Sequence, residues 1–193
     1  MRPAVFVDRD GVINELARDP VSGLLESPLS VDQVRLLPGA VEALARIADA
    51  GYALVGASNQ PAAAKGKVSL EQLRAVQARV LELLAQAGVE FAAFKVCWHH
   101  PEAVVDGLGG RCDCRKPAPG MLLEAIEELG IDPAASWMIG DSDADVLAAR
   151  AAGVRSILLE HGPSAHRRAG GAVADAGAPD IAAAAAMVVG GPV

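Results

Sequence analysis

Aromatic residues are scarce: two Trp, one Tyr and three Phe make up 3% of 193 residues. Lysine stands only at positions 65, 67, 95 and 116. With a formal net charge of −7, the chain lacks both the basic face and the stacking platforms of a nucleic-acid binder. An anionic ligand must therefore be held by a few local cations against an unfavourable overall field. No uncharged apolar run reaches the length of a membrane span. Met1 to Phe6 leads directly into Asp8, without the basic and apolar segments of a secretory signal. Cysteine is absent outside residues 97–114. That excludes a disulfide framework and points to metal ligands in a reducing compartment, so a cytoplasmic protein is expected. The length suits one domain with a sizeable core. No repeat or linker divides it, and a single domain over 1–193 and a monomeric chain are expected.

What is present is an alternation. AVFVD (4–8) is a short apolar run that ends in an acid, the pattern of a buried strand. Residues 9–37 carry Gly, Pro and Ser and read as loop. PGAVEALARIADAG (38–51) has Pro at the start, Gly at the end and helical spacing between. YALVGAS (52–58) is the next strand. Ser69, with Gln72 three residues on, forms a capping box, and Leu73, Val76, Val80, Leu83 and Leu84 line one face of the following helix until Gly88. A strand at 91–98, a helix at 117–130, a strand at 136–141, a short helix at 143–152 and a strand at 154–160 follow. Residues 161–177 read as loop and 179–189 as a last helix. Strands alternating with helices predict an α/β fold with a mostly parallel sheet flanked by helices. In such a sheet the ligand lies at the carboxyl ends of the strands.

Two acidic clusters stand at such ends, DRDGVIN (8–14) and GDSDAD (140–145). Either alone is an ordinary polar loop. Together they bring three or four carboxylates to one sheet edge, where they repel unless a cation lies between them; oxygen donors suit Mg²⁺. Asp141, Asp143 and Asp145 match the first positions of a calcium loop, but Val146 and Ala152 stand where that loop needs Gly and Glu. The chemistry implied is phosphoryl transfer. One carboxylate attacks phosphorus, a second exchanges protons with the leaving alcohol and with water, and Mg²⁺ shields the meeting of two anions. Ser58, Asn59 and Lys116 are of the types needed to hold phosphoryl oxygens.

CWHHPEAVVDGLGGRCDC (97–114) holds all three cysteines. Cys97-x-His99 and Cys112-x-Cys114 give three sulfurs and one nitrogen with short spacing at both ends, which suits a closed structural Zn²⁺ site. His100 competes with His99, whose spacing mirrors the Cys-x-Cys pair.

DxDGV after the first strand, Ser-Asn-Gln after the second, a later Lys and GDxxxD after another strand resemble the haloacid dehalogenase (HAD) superfamily of phosphatases. The resemblance covers residues 4–160. It implies a Rossmann-like parallel sheet, here without a separate cap domain. It implies Asp8 as nucleophile and Asp10 as general acid/base, with Ser58 and Lys116 steadying the phosphoryl group. Asp8, Asp10 (through its carbonyl) and Asp141 would hold Mg²⁺, with Asp145 in support. The Cys/His loop followed by Arg115-Lys116-Pro117 is similar to the heptose 1,7-bisphosphate phosphatases and to their relative, the histidinol-phosphate phosphatase domain. That resemblance implies a small phosphorylated metabolite as substrate and Zn²⁺ as a clamp rather than a catalyst. Arg9, Asn59, Gln60, Lys65 and Arg115 are the expected substrate contacts. The chain departs from the heptose pattern: Pro61-Ala62 replace Ser-Gly, Lys65-Gly66 replaces Arg-Gly, and Ser142 stands where a basic residue is common.

Overall fold

The computed structural model describes residues 1–19 and 23–190, so the ends of the expected 1–193 unit and part of the loop after Asp10 lie outside the described residues. Strand β1 (Ala4–Val7) leads into a two-stranded antiparallel hairpin, β2 (Ala17–Arg18) and β3 (Leu25–Glu26). Helix α1 (Ala40–Asp49), strand β4 (Ala53–Asn59), helix α2 (Leu70–Gln86) and strand β5 (Ala93–Cys97) follow. After the Cys/His loop come α3 (Gly120–Leu129), β6 (Trp137–Gly140), α4 (Asp143–Ala151), β7 (Arg155–Leu159), β8 (Ala176–Ala178) and α5 (Ile181–Val189).

The main sheet has the order β5-β4-β1-β6-β7-β8, with every neighbouring pair parallel. The expected parallel sheet is therefore observed, and helices cover both faces. Successive strand residues point to opposite faces. Val5 and Val7 join Leu54, Ile139 and Ile157 in a core capped by α1, α2 and α5. Ala4 and Phe6 join Val55, Ala57 and Met138 in a second core capped by α3 and α4. β1 is wholly buried, as its unbroken apolar run requires.

Local signals explain the helix ends. Gln72 N–H donates to Ser69 Oγ (3.1 Å) and Ser69 N–H to Gln72 Oε1 (3.2 Å), the capping box read from the sequence. The buried face of α2 is Leu73, Val76, Gln77, Val80 and Leu84; Leu83 is only half-buried. Two expectations need correction. Residues 9–37 contain the β2–β3 hairpin, and residues 161–177 contain a 3-10 turn (Gly162–Arg167) and the start of β8. β8 has little strand propensity of its own. Its pairing with β7 is secured where Asp175 Oδ2 accepts from Ser156 N–H (2.7 Å) and Oγ–H (2.9 Å).

The chain runs outward from β1 to β4 and β5, then returns to the other side of β1 at β6. The reversal opens a crevice beyond the carboxyl ends of β4, β1 and β6. Among the described residues no helix is long and apolar enough to cross a membrane.

Candidate active site

Asp8 and Asp10 follow β1, Ser58 and Asn59 end β4, and Asp141 follows β6. Parallel pairing brings these ends together. Gly11 makes the closeness possible: its φ is 87°, and a side chain there would run into Asp141 Oδ2.

Lys116 reaches the centre of the cluster. Its Nζ lies 3.0 Å from Asp8 Oδ1 and 2.5 Å from Asp145 Oδ1, and it donates to the Ala57 carbonyl (2.5 Å). Burial disfavours its charge, but Asp145 and Asp8 outweigh burial and hold Lys116 protonated. Its backbone is latched from both sides by Asn59: Lys116 N–H donates to Asn59 Oδ1 (3.0 Å), and Asn59 Nδ2 donates to the Lys116 carbonyl (2.9 Å). Asp145 also accepts from Ser142 N–H and Oγ–H through Oδ2, so both its oxygens are engaged.

Asp10 is held as a carboxylate. It accepts from Arg9 Nε (3.0 Å) and Nη2 (3.1 Å), Asn14 Nδ2 (2.9 Å) and Gln60 Nε2 (2.5 Å). Burial works against the charge, but Arg9, Arg167 and Gln60 overcome it and depress the pKa to about 2. Asp8 and Asp141 shift the other way. Burial, with neighbouring carboxylates adding to it, raises Asp8; burial, Asp8 and Asp145 raise Asp141 to about 8. Asp141 is fully buried, and its Oδ1 has no hydrogen-bond partner.

Oxygens of Asp8, Asp141 and Asp145 lie within 4.8 Å of one another. The site thus carries four buried carboxylates (Asp8, Asp10, Asp141, Asp145) against three side-chain cations (Arg9, Lys116, Arg167). A buried carboxylate oxygen without a partner, in a cluster that pushes protons on, fits a hard divalent cation.

The cleft above these groups has a volume of about 260 Å³. Lys65 and Arg115 line it, as expected from the sequence, along with Asn59 and Pro61. Two expected contacts do not reach it. Arg9 is 0% exposed, and its guanidinium is taken up by Asp10 and by Gln77 Oε1 (3.0 Å). Gln60 is buried and gives its amide to Asp10 and to Ser58 Oγ (3.0 Å). Both position Asp10 instead of facing a ligand. Glu26 and Ser27, from the β2–β3 hairpin, and Arg167, from the 3-10 turn, also line the cleft. No sequence pattern marked them. Gln77 was detectable as a polar residue on the apolar face of α2.

The second cluster is Cys97, His99, Cys112 and Cys114. All three thiols are free. Tetrahedral sulfurs on Zn²⁺ stand about 3.7 Å apart. Cys97 and Cys112 are 3.8 Å apart, and His99 Nδ1 lies 3.7 Å from Cys97 Sγ and 3.4 Å from Cys114 Sγ. Cys97 and Cys114 approach to 3.0 Å. Three sulfurs and an imidazole nitrogen in this compass fit Zn²⁺. His100 stands apart, its Nδ1 accepting from Glu102 N–H. The loop bears on the cleft directly, because the His99 carbonyl accepts from Arg115 Nη1 (3.3 Å) and Val104 N–H donates to the Ala64 carbonyl (2.8 Å).

Residues 113–184 match the family model described as HAD-hydrolase-like. The chain is 38% identical over 161 residues to the D-glycero-beta-D-manno-heptose-1,7-bisphosphate 7-phosphatase of Pseudomonas aeruginosa, covering 83% of each chain. It is 40% identical over 157 residues to the enzyme of the same name from Photorhabdus laumondii, covering 81% of this chain and 79% of that one. Among solved structures it resembles the D,D-heptose 1,7-bisphosphate phosphatase of B. bronchiseptica complexed with magnesium and phosphate, with a TM-score of 0.79, 32% identity and coverage of 97% and 98%. The extent of the match and the shared fold lead to one conclusion: this chain belongs to the D-glycero-D-manno-heptose-1,7-bisphosphate 7-phosphatase family of HAD-like hydrolases.

Proposed function

We propose that the protein is a Mg²⁺-dependent phosphatase that removes the 7-phosphate of D-glycero-D-manno-heptose 1,7-bisphosphate through an aspartyl-phosphate on Asp8. The observation that carries the reading is the buried Asp8–Asp141–Asp145 cluster, with Lys116 within it and Asp141 Oδ1 unpartnered. The names of the relatives support the substrate and favour its β-anomer.

Asp8 attacks phosphorus. A bond forms between its carboxylate oxygen and phosphorus as the bond from phosphorus to the sugar oxygen breaks. Asp10 gives that oxygen a proton. In the free chain Asp10 is ionised; a dianionic phosphoryl group arriving beside it raises its proton affinity. In the second half, Asp10 takes a proton from water as the water oxygen bonds to phosphorus. The bond to Asp8 then breaks, leaving inorganic phosphate and a free carboxylate. Lys116 and the Ser58 hydroxyl steady the phosphoryl oxygens, and the Asn59 latch fixes where Lys116 stands. Asp8, Asp141 and the Asp10 carbonyl hold Mg²⁺, which supplies charge neutralisation at the nucleophile and the phosphoryl group. Arg115 and Lys65 take the more distant phosphate. Cys97, His99, Cys112 and Cys114 would hold a structural Zn²⁺; four protein ligands suit a structural role, so the loop they tie would serve to place Arg115 rather than to activate water. Free thiols at such a site suit a reducing, cytoplasmic compartment.

The experiment is phosphate release with Mg²⁺ on the α- and β-anomers of heptose 1,7-bisphosphate, with histidinol phosphate beside them. The expected result is a kcat/KM preference of roughly a hundredfold or more for the β-anomer over histidinol phosphate. Equal weak rates on all three would remove the heptose assignment and leave a phosphatase of another metabolite.

A further inference from the structure

The mechanism above gives Arg167 no task, yet its guanidinium sits in the middle of the metal site. Nη1 donates to the Asp10 carbonyl at 2.9 Å and stands 3.4 Å from Asp141 Oδ2. These groups supply two of the three ligands assigned to Mg²⁺. The side chain is 19% exposed and reaches in from the segment between β7 and β8.

The segment is built to hold this arm. The adjacent Arg168 donates to the Leu159 carbonyl (3.0 Å), the His161 carbonyl (2.9 Å) and Ser164 Oγ (2.9 Å), which folds the turn on itself. Asp143 Oδ2, in the first turn of α4, accepts from Ala169 N–H (2.8 Å) and Gly171 N–H (3.2 Å) and ties the far end down. The backbone is therefore fixed on both sides of Arg167, and its side chain is held at the tip by the Asp10 carbonyl and Asp141.

Arg167 thus already engages the Asp10 carbonyl and one oxygen of Asp141, whose other oxygen, Oδ1, has no partner. Mg²⁺ binds oxygen at about 2.0–2.1 Å in near-octahedral geometry, so its ligands must turn their lone pairs to a common point. A guanidinium nitrogen bonded to both oxygens lies against that point. Two positive charges at such separation in a buried site repel strongly. We propose that Arg167 is the resident cation of the metal-free site: it neutralises the carboxylate cluster until Mg²⁺ displaces it into the cleft, and the competition sets the metal affinity. The inference rests on the assignment of Asp8, Asp10 and Asp141 as metal ligands. Once displaced, the guanidinium joins Lys65 and Arg115 in a cleft that must accept phosphate.

The test is calorimetric titration of Mg²⁺ into the zinc-loaded full chain and its Arg167→Gln variant, with thermal unfolding in the presence and absence of a Mg²⁺ chelator. Arg167→Lys, which keeps the charge, and zinc content serve as checks on folding. The expected result is a Mg²⁺ Kd about tenfold tighter in Arg167→Gln, a lower Tm for that variant without metal, and a larger gain in Tm on adding Mg²⁺. Arg167→Lys should stay closer to the unsubstituted protein. Equal Kd values in both proteins would overturn the competition, and a weaker Kd in Arg167→Gln would make Arg167 a support of the site instead. If neither protein takes up Mg²⁺, the ligand assignment itself fails.

Discussion

The carboxylates at the ends of β1 and β6 and the thiols of the 97–114 loop are both shaped for a metal, and they depend on it in opposite ways. The carboxylates come from positions far apart in sequence and are held by the parallel sheet. Asp8 continues β1 with its N–H on the Ile139 carbonyl (3.0 Å), and Asp141 follows β6 directly. That framework rests on backbone pairing, and gathering the carboxylates carries an electrostatic cost that Lys116 and Arg167 only partly offset. The thiols sit on the end of one strand and on a Gly-rich loop. Cys97 alone is buried, while the other three ligands are half-buried. The backbone bonds within the loop are few and local: His100 N–H to the Leu108 carbonyl, Ala103 N–H to the His100 carbonyl and Leu108 N–H to the Val105 carbonyl; Val104 N–H, to the Ala64 carbonyl, ties its middle outward. Here burial raises Cys97, and burial with the neighbouring thiols raises Cys114, while for Cys112 hydrogen bonds from the Arg115 backbone and the other two thiols outweigh burial and lower it. On the proposed function, a hard ion would serve chemistry where the sheet already holds the ligands, and a soft ion would serve order in the loop.

The largest test of this contrast is Asp8→Asn. Removal of the nucleophile should lower kcat at least about 10⁴-fold. Zinc content, measured by atomic emission, and Tm with chelated Mg²⁺ should not fall, because the sheet still holds the site. A turnover near the original rate would take the nucleophile's role from Asp8.

Cys112→Ser, or removal of zinc by a thiol-competing chelator, should do the reverse. Loss of a structural metal costs the folding energy that its binding supplied. A Tm decrease of roughly 5–10 °C is expected for a chain of this size, with new proteolytic cleavage between 100 and 112. Activity should fall through KM more than through kcat, since Arg115, held by the His99 carbonyl, is the residue displaced. A kcat loss equal to that of Asp8→Asn would make the second metal catalytic.

Between these extremes lies Asn59, which joins the two regions. Asn59→Ala removes both hydrogen bonds that hold the Lys116 backbone. At about 1–1.5 kcal/mol for each bond, kcat should fall roughly 10–100-fold. Zinc content should stay unchanged, which separates a misplaced lysine from a disordered loop.

The sequence made most of this arrangement legible, because strands that end in acids carry their own signal. The runs before Asp8 and Asp141 are apolar and unbroken, so their ends, and hence the crevice, could be placed. The Cys/His spacing is equally local. What escaped needed partners distant in the chain. Arg9 reads as a substrate contact until Gln77, 68 positions later, closes the other side of its guanidinium. Arg167 reaches the Asp10 carbonyl across 157 positions, from a segment with no periodicity at all. The β2–β3 hairpin, with two residues per strand, is too short for alternation to show, so the segment over 11–30 reads as a loop framing the cleft, without Glu26 and Ser27 standing out in it. Side chains that act through tertiary reach leave no pattern along the chain.

The smallest expected effect concerns protons at the carboxylate cluster, and its sign discriminates between the two regions. Asp141 has a pKa of about 8 against a usual 3.8, through burial and then the charges of Asp8 and Asp145, with Arg167 and Lys116 opposing. Between those values the folded chain keeps a proton that the unfolded chain has lost. Stability therefore falls as pH rises across this window, and the contribution, complete below pH 3.8, is gone above about 8. Without Mg²⁺, the Tm should drop by roughly a few degrees from pH 5 to pH 8. His161, whose Nε2 lies 2.7 Å from the Gly11 carbonyl, works the other way. Burial and the nearby Arg168 and Arg167 lower its pKa, so its neutral form gains stability as pH rises. Asp141→Asn keeps His161 and removes one of the two raised carboxyls, leaving Asp8, so its profile should lose much of the downward slope. Saturating Mg²⁺ should flatten the unsubstituted protein in the same way, because a bound cation takes the place of the proton. Zinc removal should lower both profiles without changing the slope between pH 5 and 8. An undiminished downward slope in Asp141→Asn would place the proton elsewhere, and the contrast between the charge-strained carboxylates and the thiol loop would lose its electrostatic half.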